Sequence, residues 1–169
     1  MLLVGGASTL FGSPKAHAVV DGVTLAERAW TLLGAACDER IAVGKSADGL
    51  DLPFEVLDDG TDVRAPLAGV VAGLRAAGND VALIIPVDMP KLTVASLHAL
   101  ADACRDAAVP PTGPLPGAYR RNTLPALQRF LDRGELRLRD AIAELDVATV
   151  DLDPSVLANV NTPADVQRH

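Results

Sequence analysis

The chain has 169 residues, of which 49% are hydrophobic, and this is enough for one domain over residues 1–169 that buries roughly two-thirds of its unfolded surface. A formal net charge of −7, with 22 acidic and 15 basic side chains, argues against a general nucleic-acid surface, because such a surface needs a basic face. The segment "MLLV" is too short and uncharged for a signal peptide, and no apolar stretch approaches the roughly 20 residues of a membrane span, so we expect a cytoplasmic protein that does not bind membranes.

The first half of the chain alternates between predicted strands and helices. Thr24 and Glu27 form a capping box at the start of a helix. Gly73 lies in an Ala-rich helix and permits close packing on a sheet. The uninterrupted apolar run within 80–88 indicates a strand buried on both faces, as in a central parallel strand. The predicted strands are 2–4, 40–43, 54–57 and 80–88, and the predicted helices are 24–37 and 66–78.

Helix caps and prolines organise the second half of the chain. Thr93 caps the helix that follows it, and Thr162 with Pro163 begins the last helix. Four prolines within 107–121 preclude a helix there and predict a short hairpin or a pair of edge strands. Further helices are predicted at 94–106, 123–134 and 136–146, and a further strand at 147–152.

The alternation of strands and helices predicts an α/β fold in which helices cover both faces of a sheet. Aromatic residues make up only 3% of the chain, so Ala, Val and Leu must fill the core. Helices with such small side chains can pack closely on the sheet. No repeat or low-complexity linker interrupts the pattern, which favours a single doubly wound domain.

The cysteines and histidines predict neither a disulfide framework nor a zinc site. Cys37 and Cys104 form no CxxC pair, so we interpret them as buried, reduced thiols. The histidines, His17, His98 and His169, are equally scattered, which makes a His-based metal site improbable.

A glycine-rich loop follows the first predicted strand. In open α/β sheets, ligands bind beyond the carboxyl ends of the strands. Gly5, Gly6 and Gly12 let backbone N–H groups approach phosphate oxygens, and Lys15 supplies positive charge. The pattern matches neither the Walker motif GxxxxGK[ST] nor GxGxxG. Taken alone, the loop is equally consistent with an ordinary tight turn.

Two further loops carry oxygen ligands at the ends of predicted strands. In "PVDMP", Asp88 follows the central strand, where a carboxylate can hold Mg²⁺ that bridges phosphate oxygens. The alternative is a capping or turn aspartate before Pro90. In "NVNTP", Asn159 and Asn161 lie beside the cap of the last helix, and capping explains Thr162 but not Asn161.

Taken in order, these motifs resemble those of the molybdenum-cofactor guanylyltransferases, the MobA-like branch of the nucleotidyltransferases. The motifs are GG-x-S-x-x-F-G-x-x-K, "DD" followed by "PLAG", then "PVDMP" and "NVNTP". The resemblance extends over essentially the whole chain. It implies a three-layer α/β/α, Rossmann-like nucleotidyltransferase fold with a mostly parallel mixed sheet.

The resemblance also implies a role for each matching residue. Lys15 would contact the phosphates and act with Asp88 in catalysis, Asp59 and Asp88 would help to hold the nucleotide, and Asp88 with Asn161 would bind Mg²⁺. The backbone that would hold the nucleotide is that of Leu3, Val4, Gly5 and Gly6.

The implied reaction is the attack of the terminal phosphate of molybdopterin on the α-phosphorus of GTP, with release of pyrophosphate. Such in-line transfer needs positioning and charge neutralisation rather than a protein nucleophile. Other proteins of cofactor biosynthesis are candidate partners.

The residue at position 10, Leu10, departs from the family pattern, and this departure leaves two alternative functions possible. The family usually carries an arginine just before the Phe or Met of the glycine loop, and leucine offers neither charge nor hydrogen-bond donors. One alternative is therefore a homologue that binds a nucleotide or a partner protein without efficient catalysis; another is a cytidylyltransferase-type relative with a different acceptor. Four cations from other loops are candidates to replace that arginine: Arg64, Lys91, Arg120 and Arg121.

Overall fold

A computed structural model of the protein describes residues 1–5, 14–161 and 165. Within these residues, seven strands form one sheet and two strands form a separate hairpin. The strands are β1 (Leu2–Leu3), β2 (Val19–Val20), β3 (Val23–Thr24), β4 (Ala42–Gly44), β5 (Val56–Asp58), β6 (Val81–Pro86), β7 (Ala107–Val109), β8 (Gly117–Arg120) and β9 (Val147–Thr149).

The larger sheet is mixed but mostly parallel. Its strand order is β5, β4, β1, β6, β8, β7, β9, and among the strands described only β8 runs antiparallel to its neighbours. From β1 the chain proceeds to β4 and β5 on one side and then returns to β6 on the other. The strand order therefore reverses at β1, and a crevice is expected at the carboxyl end of this strand, between the loops that follow β4 and β6.

Helices cover both faces of this sheet, which confirms the expected three-layer α/β/α fold. α1 and α3 contact each other over one face, and α2, α4 and α5 pack over the other. The neighbours Leu2 and Leu3 of β1 point to opposite cores, as alternation along a strand requires. The helices are α1 (Leu25–Ala36), α2 (Pro66–Ala76), α3 (Val94–Ala103), α4 (Leu124–Asp132) and α5 (Leu138–Ile142). In the described part of the chain, no helix is long and apolar enough to cross a membrane.

Strand β6 is central and buried on both faces, as its apolar run predicts. Ile84 packs into the core beneath α2, whereas Ile85 packs into the core beneath α1 and α3. The strand pairs in parallel with β1 but antiparallel with β8, so the expectation of a central parallel strand holds for one of its two edges.

Helix α2 approaches the sheet closely at Gly73. A Cβ atom built on Gly73 would lie 2.1 Å from Met1 Sδ, a distance at which the two groups collide. The predicted role of this glycine in close helix packing is therefore confirmed.

The proline-rich segment forms a hairpin, but this hairpin lies inside the sheet. β7 and β8 pair with each other, β8 also pairs with β6, and β7 also pairs with β9. The predicted hairpin is confirmed, and the alternative of edge strands is wrong. All four prolines lie in the connecting loop 110–116, where they take no ladder hydrogen bond away.

Two elements near the carboxyl terminus are shorter than predicted. The helix expected over 136–146 is reduced to α5, because the chain turns at Leu145, whose N–H donates to Ile142 O at 3.0 Å, before it enters β9. The strand expected over 147–152 ends at Thr149, because its partner β7 runs into Pro110, which cannot continue the ladder. The predicted cap at Thr162 and Pro163 lies outside the described residues.

The β2–β3 hairpin is a feature that the sequence analysis missed. Its turn residues, Asp21 and Gly22, have φ values of 52° and 80°, which are the left-handed conformations of a tight two-residue hairpin. An Asp-Gly pair between apolar residues is a recognised signal for such a turn. The hairpin connects the 3₁₀ turn Lys15–His17 to α1.

The capping box at the start of α1 is confirmed and provides a test of local stability. The Glu27 N–H donates to Thr24 Oγ1, and the Thr24 N–H donates to Glu27 Oε2, both at 3.2 Å. We expect Thr24→Ala to lower the free energy of unfolding by about 1 kcal/mol, or Tm by about 2–4 °C in a chain of this size. Thermal unfolding measures the change. Thr31→Ala, on the exposed face of the same helix, is the control and should leave Tm within about 1 °C of the wild type.

Candidate active site

A cavity of about 330 Å³ opens at the carboxyl ends of β1, β4 and β6. It lies on the face of the sheet covered by α2, since Gly69 and Pro66 of that helix contribute to its wall, and Leu115 of the proline loop completes it. This is the crevice that the strand order creates. Six of the residues expected to bind the nucleotide or the metal line it: Leu3, Val4, Gly5, Lys15, Asp59 and Asp88.

The backbone that leaves β1 forms one wall of the cavity. The Val4 N–H donates to Val43 O at 2.9 Å, which extends the pairing with β4 to the start of the glycine loop. Gly5 then passes close to the neighbouring strand, since a Cβ at this position would lie 3.6 Å from the Gly44 Cα. The other loop residues named above, Gly6, Leu10 and Gly12, lie outside the described residues.

Lys15, Asp88 and Asn161, which the resemblance assigns to the phosphates and the metal ion, come together in the structure. The Lys15 ammonium donates to Asp88 Oδ2 at 3.0 Å and to Asn161 Oδ1 at 2.8 Å. The three residues are far apart in the chain, and a hydrogen bond of 2.8 Å from the Val160 N–H to Asp88 O holds the segment that carries Asn161 beside the loop that follows β6. The Lys15 and Asp88 side chains are 23% and 19% exposed, so the pair is accessible from the cavity.

The oxygen atoms in this cluster fit a magnesium ion that is shared with a ligand. Among the described residues, no group of three or more His, Cys, Asp or Glu side chains could hold a metal. Asp88 and Asn161 provide one carboxylate and one amide oxygen. Mg²⁺ in proteins is usually held by one or two carboxylates and completes its shell with water and substrate phosphates. These two oxygen ligands therefore fit Mg²⁺ that is bound together with phosphates. They do not make a complete metal site by themselves.

A second, more buried cluster joins Lys45, Asp59 and Thr61. Lys45 follows β4, and its ammonium donates to Asp59 Oδ1 at 2.7 Å, to Thr61 Oγ1 at 3.1 Å and to the Thr61 carbonyl. The Lys45 and Asp59 side chains are only 10% and 6% exposed. Lys45 is a site residue that sequence reasoning missed, although its place directly after a strand was an available signal.

The cluster leaves one oxygen of Asp59 available to a ligand. Asp59 Oδ1 also accepts hydrogen bonds from the Thr61 N–H at 3.0 Å and the Thr61 hydroxyl at 3.1 Å. Asp59 Oδ2 has no hydrogen-bond partner among the described residues. Because the carboxylate lines the cavity, this free oxygen can accept a hydrogen bond from an N–H or O–H donor of a bound molecule.

Asp58, next to Asp59, anchors the loop that carries this cluster. Its carboxylate accepts hydrogen bonds from the Ser46 N–H at 2.6 Å and the Gly60 N–H at 2.7 Å. Hydrogen bonds from Ser46 and Gly60 lower the pKa of Asp58 to about 2, because they stabilise the ionised carboxylate. Asp58 therefore ties the loops after β4 and β5 together, which orients Asp59.

Of the four cations considered as replacements for the loop arginine, Arg64 lines the cavity. Its guanidinium pairs with Asp48 Oδ1 at 2.6 Å. Arg120 pairs across the sheet with Val81 at the start of β6, and the Arg121 N–H donates to Asp80 O at 2.8 Å. These two arginines thus lie at the amino-terminal end of β6, whereas Asp88 follows its carboxyl end. Arg120 and Arg121 are therefore excluded as replacements for the loop arginine. Lys91 is exposed.

A comparison of the sequence with protein families matches residues 1–149 to the MobA-like NTP transferase domain. A probable molybdenum cofactor guanylyltransferase of Chloroflexus aggregans is 34% identical, and the match covers 99% of this chain and 90% of that protein. A probable molybdenum cofactor guanylyltransferase of Deinococcus radiodurans is 35% identical, with 98% and 90% covered.

Solved structures share the fold. Molybdopterin-guanine dinucleotide biosynthesis protein A of Archaeoglobus fulgidus superposes with a TM-score of 0.80 at 24% identity, and the match covers 99% of this chain and 94% of that one. The 2-C-methyl-D-erythritol 4-phosphate cytidylyltransferase of Thermus thermophilus gives a TM-score of 0.75 at 20% identity, with 99% and 94% covered.

Proposed function

The chain belongs to the MobA-like NTP transferase family and is a nucleotidyltransferase, and on this premise we propose that it transfers GMP from GTP to molybdopterin in a Mg²⁺-dependent reaction that releases pyrophosphate. The observation that carries the proposal is that Lys15 and Asp88 line one cavity and that Lys15 also contacts Asn161. The relatives named as guanylyltransferases, which align along nearly their whole length, support GTP and molybdopterin as the substrates.

The chemical step is an in-line displacement at the α-phosphorus of GTP. A terminal phosphate oxygen of molybdopterin forms the new bond to this phosphorus, and the bond to the bridging oxygen of the β-phosphate breaks, so that pyrophosphate leaves. No group of the protein becomes covalently attached. The protein must hold both substrates in line and offset negative charge on the phosphates.

Each residue of the cluster has its own role at the phosphates. The Lys15 ammonium is a mobile point charge that offsets charge on the phosphate oxygens. Asp88 and Asn161 would hold Mg²⁺, which neutralises phosphate charge when it is bound. Asp88 lies just beyond the end of the central strand β6, so the buried strand positions its carboxylate.

The other end of the cavity would receive the nucleoside. Asp59, held by Lys45 and Thr61, presents one acceptor oxygen there, and the backbone of Leu3, Val4 and Gly5 closes the wall beside it. A nucleoside carries N–H and O–H donors on its base and sugar, and Asp59 can accept one of them.

The first test is a calorimetric titration of the protein with GTP, ATP and CTP, each with and without Mg²⁺. We expect Mg²⁺-dependent binding of GTP in preference to the other two, and formation of the guanine dinucleotide when molybdopterin is added. Stronger binding of CTP would instead favour the cytidylyltransferase alternative. Tight GTP binding without dinucleotide formation would favour a homologue that binds nucleotide but does not catalyse transfer.

A further inference from the structure

We propose that the Lys15 ammonium competes with the metal ion for Asp88 and Asn161, so that the metal enters this site together with the nucleotide as a metal–nucleotide complex. The inference rests on the proposed function, since it concerns the same three residues. It adds an order of binding: the free metal ion is held back until the phosphates of a nucleotide draw Lys15 away.

The inference rests on one observation: the Lys15 ammonium donates hydrogen bonds to both of the oxygen atoms that would bind the metal ion. Lys15 Nζ lies 3.0 Å from Asp88 Oδ2 and 2.8 Å from Asn161 Oδ1, so it sits between the two loops that meet there. An ammonium ion has three protons and no acceptor. Two of its protons are used in these contacts, and the positive charge lies directly beside the oxygens that a metal ion needs.

A divalent cation cannot share this position with the ammonium. The two ions carry like charges and require the same lone pairs, so the metal binds only if Lys15 moves. Without a nucleotide, Lys15 would have to give up its carboxylate partner and an amide hydrogen bond for contacts with water. The affinity of the site for free metal is lowered by that cost.

A nucleotide changes this balance because it brings several negative charges to the cavity. The phosphate oxygens offer Lys15 stronger partners than a single carboxylate and an amide oxygen. Four rotatable bonds let the ammonium move to them without a change in the backbone. The same movement frees Asp88 and Asn161, so nucleotide binding and metal binding promote each other, as linkage requires.

The test is the binding of Mn²⁺ alone, as a Mg²⁺ analogue, to the full chain without nucleotide, followed by water-proton relaxation. We expect Lys15→Met to bind Mn²⁺ about tenfold more tightly than the wild type, which lies in the usual range of coupling between two ligands. The same variant should bind the Mn²⁺ complex of GTP more weakly than the wild type. A purely structural role of Lys15 would weaken both and could not produce effects of opposite sign.

Two further variants separate this inference from the proposed function. Lys91→Met removes an exposed lysine three residues after Asp88 and should leave Mn²⁺ binding unchanged. The double variant Lys15→Met/Asp88→Ala should lose the tighter binding. If Lys15→Met binds Mn²⁺ no more tightly than the wild type, the competition is overturned. If the double variant binds it as tightly as Lys15→Met does, the metal site itself is wrongly placed and the proposed function loses its metal ligands.

Discussion

Asp88→Asn should lower the rate of guanylyl transfer on the order of 10³-fold while the fold remains intact. The change removes the one carboxylate in the cluster of Lys15, Asp88 and Asn161, so both the metal site and the lysine lose their negative partner. Removing a single group that stabilises charge in a transition state typically costs 10² to 10³ in rate. The effect on stability should be small, because a partly exposed ion pair contributes about 0.2–1 kcal/mol.

Steady-state transfer kinetics and urea unfolding of the same preparation measure the two effects. Asp102→Asn, an exposed aspartate on α3, is the matched control and should retain wild-type activity. A transfer rate within about threefold of the wild type in Asp88→Asn would contradict the role of Asp88, since the loss expected for such a group is far larger.

Lys45→Met should destabilise the protein by about 3–5 kcal/mol, the usual effect of leaving one member of a buried ion pair without its partner. Methionine has nearly the length of lysine, so the effect reports the lost charge and hydrogen bonds rather than a cavity. Asp59 would keep its two hydrogen bonds from Thr61 but lose its cation. GTP binding should weaken as well, because the carboxylate would no longer be held in place.

The double variant Lys45→Met/Asp59→Asn provides the internal control. It removes both charges and leaves the Thr61 donors with an amide oxygen to bond, so it should be more stable than Lys45→Met alone. Urea unfolding monitored by circular dichroism measures all three proteins. A loss of less than about 1 kcal/mol in Lys45→Met would show that the pair contributes no more than an exposed one.

The site residues divide clearly into those that the sequence predicted and those that it did not. Lys15, Asp59, Asp88 and Asn161 were predicted because each belongs to a short motif in a loop after a strand or before a helix. Lys45 belongs to no such motif. Its importance comes from its burial and from its contact with a residue 14 positions later, and both depend on how β4 and β5 pair.

The candidate replacements for the loop arginine also show what the sequence could and could not predict. Arg64, Lys91, Arg120 and Arg121 are equivalent as candidates in the sequence, since each is a positive charge in or near a loop. Because β8 runs antiparallel to β6, Arg120 and Arg121 lie at the end of the sheet opposite the cavity, whereas Arg64 lies just before α2 and lines the cavity. Strand direction is a property of the whole sheet, so no local pattern could separate these residues.

Sequence patterns predicted the features that depend on near neighbours in the chain. The capping box at Thr24, the cap at Thr93, the buried strand β6 and the hairpin of β7 and β8 follow from patterns within a few residues. The tertiary structure alone decided the strand order, the place of that hairpin inside the sheet and the pairing of Lys15 with Asp88 and Asn161. These features depend on contacts between residues far apart in the chain, 73 and 146 positions for the two contacts of Lys15, and such contacts form only when the packing of the whole core brings the segments together.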